Sequence, residues 1–429
     1  MSEGVARLYH LPALNYAIAH PTEESLSALD HELAPFLSEM AQFSSTKALK
    51  ASTIYATLGP EIERILHTVA QEDFSIDRTI TKRTEAGAAE AIRATAWNIE
   101  RGIRLESIVD VLGHHPVIGG SDVLLLTELD YGMARSGNRF VAREIAQALN
   151  LNYVFAPCYL ALTKGSGVEA YMEGENTVAL HGNAILSHHP LRRAHSLWLP
   201  NGKDKMRGKE KRLGQQSAVI ADMEHPLGTV RVVSLHMDAH STQKHRHFQM
   251  KIMLDHLDTL RPRLPILIGG DWNTSTYNSK RALYAVIGFW RRVMMGPGYF
   301  IKNHYPHPDR WFERHLFREL EKRGWNYRDL NEPGLSGCTL HYDVRDMAVN
   351  KNMADWIPQW CFYFLKRALE KHGGRSSLKL DWFTGKDVSV AQTHPPKAIH
   401  DLKDAEGRLS DHDAIVVDFI PQASVFGEG

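Results

Sequence analysis

From Ile92 onward, short apolar runs take turns with amphipathic stretches, and this alternation constrains the fold more than any other feature of the chain. "IRATAWNIE", "DVLLLTELD", "YVFAP", "NAILS", "VRVVSLHMD", "LPILIGGDWN" and "AIVVDFI" are each short, apolar and rich in β-branched residues, as buried strands are. Between them, residues 102–113, 138–149 and 243–260 carry apolar residues at helical spacing. Strands alternating with helices predict an α/β architecture.

Those runs also end alike. Asn98 closes the first, Glu128 and Asp130 the second, and Asn183 opens "NAILS"; His236 and Asp238 follow "VVSL", while Asp271 and Asn273 follow "ILIGG". Asp381 lies in "LKLDWFTG", and Ser410-Asp411-His412 precedes the last run. Taken singly, each is an ordinary turn or cap, the use to which Asn, Asp and His are most often put. Recurring at one strand end after another, they predict a shared polar rim. In "RLPILIGGDWNTSTYN" two glycines precede the acid and the amide, and a close backbone approach to a bound group is the expected reason.

In the order "WNIERG", "LLLTELD", "GNAILS", "SLH", "GGDWNT", "LDWF", "SDH", the chain resembles the endonuclease/exonuclease/phosphatase superfamily, over about residues 92–277 and 378–420. Each motif is weak alone and the ordered set is specific. The resemblance implies a two-sheet α/β sandwich flanked by helices and a metal-dependent phosphodiesterase, nuclease or phosphatase using Mg²⁺, with Mn²⁺ as the alternative. It implies Glu128, Asn98 and Asp411 as metal ligands, with hard oxygens suited to that ion. Asp271 would orient or deprotonate the attacking water, and Asn273 would hold Asp271 or phosphate. His412, oriented by Asp381, would contact phosphoryl oxygens or move a proton. His236 would stabilise the transition state and Asn183 would bind the scissile phosphate.

Residues 1–90 read as an N-terminal helical extension, and 91–421 as the catalytic domain, interrupted at 278–377 by a helical, aromatic and basic insertion with helical patterning at 309–323 and 355–371. Within it Trp290-Arg291-Arg292, Tyr299, Trp311 and Phe312 fit either a small core of their own, the preferred reading, or a binder of bases or headgroups. "NGKDKMRGKEKR" (201–212) reads as a solvated loop or as a clamp on an anionic substrate. His236, His240, His245 and His247 could suggest a zinc site, but the residues from His245 onward read as a helix leading away, and histidine is commonly a surface and capping residue. Arg246 and Gln249 on that helix would brace the His236 loop.

Lys+Arg and Asp+Glu are both 50 in the 429 residues, giving a net charge of +0. This argues against a non-specific nuclease, which needs a cationic track. Cys158, Cys338 and Cys361 form no framework, and neither a signal pattern nor a membrane-length apolar run is present, so a cytoplasmic protein is expected. The expected partner is a phosphate-ester substrate: a small molecule, a lipid headgroup or a nucleic acid. The alternatives are a DNA or RNA nuclease, a catalytically inactive phosphate-binding protein, and a peripheral membrane protein using the insertion.

Overall fold

The computed structural model describes residues 27–74, 91–239, 241–274, 287–288, 290–291, 294–343, 363, 366–367, 369–370, 373–392 and 394–422. The strands before the insertion are β1 (Ala70–Asp73), β2 (Ile92–Arg101), β3 (Val123–Tyr131), β4 (Asn152–Ala161), β5 (Leu180–Ser187), β6 (Leu191–Leu199), β7 (Arg212–Gly214), β8 (Gln216–His225), β9 (Gly228–Leu235) and β10 (Ile266–Asp271). Then come β11 (Leu340–Asp343), β12 (Arg375–Leu378), β13 (Asp381–Lys386), β14 (Val388–Val390), β15 (Lys397–Ile399), β16 (Lys403–Asp404), β17 (Gly407–Arg408) and β18 (Ala414–Pro421).

One sheet runs β1-β4-β5-β3-β2-β18-β14, with β7 paired to β4 and β15 to β18; the other runs β13-β10-β9-β8-β6. Because successive side chains on a strand face opposite ways, Ile92, Ala94 and Ala96 of β2 enter the layer between the sheets, against Val219, Val232 and Leu267. Trp97 and Ile99 turn outward beneath the helices Leu105–His114 and Val141–Leu149. The second sheet is covered on its outer face by the helices Gln243–Thr259 and Arg314–Lys322. This is the expected helix-flanked sandwich. Pairing of β2 with β3 and of β9 with β10 is parallel, so the carboxyl ends of these strands share one rim with the amino ends of β13 and β18.

Several details differ from the sequence expectation. The N-terminal region is not helical throughout: after the helix Thr53–His67, β1 adds to the first sheet through β4, and Leu29, Leu33, Met40, Ile62 and Ile65 complete that sheet's outer core. Among the longer strands, β6 and β8 went unread because charged residues interrupt them, and those charges are paired: Arg193 of β6 and Arg231 of β9 both reach Asp222 of β8. The insertion packs in two ways. Phe300 and His304 are buried and stack with Phe312 and Trp311, but Trp290, Tyr299 and Trp311 are exposed, so the expected small core takes in only part of that set. Leu316, Phe317 and Leu320, however, join the core of the second sheet. The helical pattern over 355–371 falls largely outside the described residues, as do Cys361, Arg292 and His240. Cys158 and Cys338 are free and buried.

Candidate active site

Two irregularities in the first sheet shape the rim. The β2–β3 register shifts between Asn98 and Arg101, and the β3–β5 register shifts between Leu126 and Leu129. Such bulges re-aim side chains. Glu100, Arg101 and Glu128 all sit at positive φ, as does Asn273 beyond β10, a conformation that costs a residue with a Cβ about 1 kcal/mol or more and collects at functional sites. In the second sheet, antiparallel pairing sets Asp271 directly opposite Asp381. Gly270 makes this possible in a way the sequence reading did not foresee. At its φ of +137° an added Cβ would lie 2.2 Å from the Leu235 carbonyl oxygen, so this glycine serves the close approach of β9, not of a ligand.

The side chains converge. Asn98 Nδ2 donates to Glu128 Oε1 (3.1 Å) and Asp271 Oδ2 (3.3 Å), while its Oδ1 accepts from the Glu100 amide. Asp271 Oδ1 accepts from the Asn273 backbone N–H (2.8 Å) and Oδ2 from Asn273 Nδ2 (3.0 Å). His236 Nε2 lies 3.5 Å from Asp271 Oδ2 and 3.9 Å from Glu128 Oε1. On the other side, His412 Nε2 is 3.8 Å from Asp271 Oδ2, and its Nδ1 bonds Asp381 Oδ2 at 2.8 Å. The Ser410 hydroxyl holds the His412 loop by donating to the Asn98 carbonyl (2.6 Å) and accepting from the His412 N–H (3.1 Å).

Two expected residues have other surroundings. Asn183 is fully buried, its Oδ1 accepting from the Glu128 N–H and its Nδ2 donating to Ser217 O and Cys158 Sγ. Its amide is thus engaged inside the protein, where it holds the Glu128 backbone. Asp411 is exposed, and its backbone N–H donates to Glu100 Oε2.

Electrostatics separates the roles. Burial works to raise Glu128, but the Arg101 guanidinium holds it well below the usual carboxylate range. Glu100 is pushed to about 7 by burial and by the nearby Asp411 and Glu128 carboxylates. Burial raises Asp271 to about 8, against the pull of His412, and lowers His236 to about 4. Burial opposes a charge on His412, yet Asp381 and Asp271 together lift it well above its ordinary range. Glu128 and Asp411 lie near enough to Glu100 to raise it, and Arg101 is 3.8 Å from Glu100 Oε1 as the neighbouring cation. The hard oxygens of these acids are the donor type that suits a divalent metal ion.

Glu100 and Arg101 were not singled out in the sequence; an acid two residues beyond Asn98 in "WNIERG" was the available signal. Thr339 was also missed. It comes from the insertion, and its hydroxyl donates to Asp381 Oδ2 at 2.5 Å. Of the four histidines weighed for zinc, His236 is in the site, His245 bonds the Pro200 carbonyl and His247 faces Glu319. Gln249 accepts from the Asp238 N–H, and Arg246 donates to the Asp238 carbonyl and to Glu313, so that helix braces the His236 loop. The basic loop is largely tied down: Lys205 is buried on Asp238, and Lys211 donates to the Ala41 and Phe43 carbonyls.

The Endonuclease/Exonuclease/phosphatase family model matches residues 95–412. The chain belongs to this family of phosphate-ester hydrolases, which depend on a divalent metal. Among solved structures it is similar to the endonuclease/exonuclease/phosphatase from Beutenbergia cavernae, at 16% identity and TM-score 0.45, over 78% of this chain and 72% of that one. It is also similar to a 3′-5′ exonuclease from Neisseria meningitidis, at 15% identity and TM-score 0.43, over 76% of this chain and 99% of that one. No curated protein matches the sequence. Among the described residues, no helix is long and apolar enough to cross a membrane.

Proposed function

We propose that the protein is a Mg²⁺-dependent phosphodiesterase. The observation that carries this reading is the meeting of Glu128, Asn98, Asp271, Asn273, His236, Asp381 and His412 at one rim, where an ionised carboxylate adjoins a proton-holding Asp–His pair. Glu128, with Glu100 and Asp411, would hold the metal, which when bound neutralises phosphate charge. Mn²⁺ would serve the same oxygen ligands.

The chain's own residues divide the remaining work. Asn98 and Asn273 fix the Asp271 carboxyl from two sides, so that in its ionised form it orients the attacking water and takes its proton as the water oxygen bonds phosphorus. Asp381 keeps His412 cationic and directs its Nε2–H into the site, where it meets charge developing on the phosphoryl oxygens. His236, neutral by burial, offers a second hydrogen bond from the Glu128 side. Asn183 acts behind Glu128. Residues 91–421 form the catalytic unit, and the insertion belongs to it chemically, because Thr339 orients Asp381.

The formal charge of zero favours a compact substrate, a small phosphodiester or a lipid headgroup, over a long nucleic acid held by a cationic track. A panel of plasmid DNA, single-stranded RNA, sphingomyelin, a phosphoinositide and an aryl phosphodiester tests this. Turnover of the compact members is expected. Cleavage of plasmid DNA or RNA alone would make the protein a nuclease, and binding without turnover would make it a phosphate-ligand binding protein.

A further inference from the structure

A second cluster of metal-binding side chains lies outside the set described above. His341 of β11, His400 just after β15, and Asp413 just before β18 bring one ligand atom each to a common point, all within 4.8 Å of one another. His341 Nε2 is 2.8 Å and His400 Nδ1 2.5 Å from the same oxygen, Asp413 Oδ2. The opposite ring nitrogens are equally defined. His400 Nε2 faces the Ser336 carbonyl at 2.8 Å, and His341 Nδ1 faces the Ser377 hydroxyl at 2.7 Å.

Those outer contacts decide the chemistry. A backbone carbonyl only accepts, so His400 carries its proton on Nε2, and a neutral ring then presents the Nδ1 lone pair toward Asp413. The Ser377 hydroxyl accepts equally well from Nδ1–H of His341, which frees Nε2 in the same way. Two imidazoles with their far nitrogens hydrogen-bonded and their near nitrogens aimed at one carboxylate form the outer-shell pattern that orients metal-ligating histidines. Without a metal the same geometry requires protons: His400 then faces two acceptors, the Asp413 carboxylate and the Ser336 carbonyl, and donates to both.

We infer that His341, His400 and Asp413 bind a borderline divalent transition metal, zinc in the first place, which takes the place of the protons now shared with Asp413. Two nitrogens and one carboxylate oxygen suit Zn²⁺ with a water as fourth ligand. Tetrahedral ligand atoms at about 2.0–2.1 Å from the ion lie about 3.3 Å apart, so the rings need to withdraw from Asp413 by less than an ångström. Both rings reach the surface, with side-chain exposures of 26% and 36%, so the ion has a way in. Arg408 lies 3.9 Å from the other oxygen of Asp413 and leaves Oδ2 to the metal. The site is structural. It ties the insertion hairpin β11–β12 to the loop that carries His412, alongside the Leu340–His412 bridge and the bond from the Asp413 N–H to Thr339 O.

The test is zinc content of the full-length protein after exhaustive dialysis with zinc alone, in the wild type, His341→Gln, His400→Gln and Asp271→Asn. The wild type and Asp271→Asn should each hold one more ion per chain than either histidine variant. The affinity lost with a ligand should exceed the about 10- to 100-fold that removal of an outer-shell partner causes. Cobalt bound in place of zinc should give the visible bands of a four-coordinate site in the wild type and in Asp271→Asn. Equal zinc in all four proteins, no zinc in the wild type, or zinc lost only in Asp271→Asn would overturn the assignment. The cobalt spectrum keeps the question answerable should a histidine variant fail to fold.

Discussion

Arg135 has a fully buried guanidinium that serves three carboxylates: Asp130 at 2.8 and 3.0 Å, Glu169 at 3.1 Å and Glu210 at 3.0 Å. Replacing it with Met keeps much of the volume and removes the charge. Asp130 shows what is at stake. Burial would raise it, yet Arg135 and His181 bring it down from 3.8 to about 2. At about 1.4 kcal/mol per pH unit, that difference alone contributes about 2 kcal/mol of stability at neutral pH. Glu210 is held low as well, with Arg212 and Arg135 overcoming its burial. Removing the guanidinium these buried acids share, with only His181, Arg212 and Arg101 left beside them, places the expected loss for Arg135→Met at about 3 kcal/mol.

The sign of the pH dependence makes this prediction specific. In the wild type the depressed Asp130 stabilises above its unfolded value of 3.8, and that contribution fades as pH falls from there toward about 2. In the variant the acids lose their shared cation and rise from their depressed values, so acidification relieves them. Urea unfolding at pH 7 and pH 4.5 should therefore show a gap between the two proteins that narrows at the lower pH. A variant within about 1 kcal/mol of wild type at pH 7, or a gap that widens on acidification, would refute the reasoning.

Two further outcomes follow from the rim. Asp381→Asn keeps the shape beside His412 and removes the charge that holds the ring cationic, so kcat of the folded variant should fall by about 10²- to 10⁴-fold. A loss under about threefold would remove the pair from the mechanism. Gly270→Ala forces a Cβ against the Leu235 carbonyl at a strained φ. It should cost about 2 kcal/mol or more in urea unfolding, and a neutral result would mean that β9 and β10 are not so tightly apposed.

The sequence made the rim legible where chemistry and strand end coincide. Asp271, Asn273, His236 and His412 each abut an apolar run, so the period-2 pattern and the polar group mark the same point. Glu100 and Arg101 escaped because the β2 bulge breaks that alternation exactly where they project. Thr339 escaped for a different reason. Its partner Asp381 is 42 residues away, and nothing local in "GCTLHYD" marks a hydroxyl that must reach a buried acid. The same distance problem hides His341, His400 and Asp413, whose meeting depends on β11, β15 and β18 coming together. β6 and β8 were obscured by charges that look solvated in sequence and are paired in the fold.

The central claim is that Asp271 works beside a metal held by the carboxylates at this rim. Its most direct test is hydrolysis of an aryl phosphodiester by wild type and Asp271→Ala, each with Mg²⁺ and with chelator. Turnover by the wild type that disappears with chelator, and is absent from a folded Asp271→Ala, is the predicted result. Undiminished hydrolysis by Asp271→Ala, or by the wild type under chelation, would contradict the account.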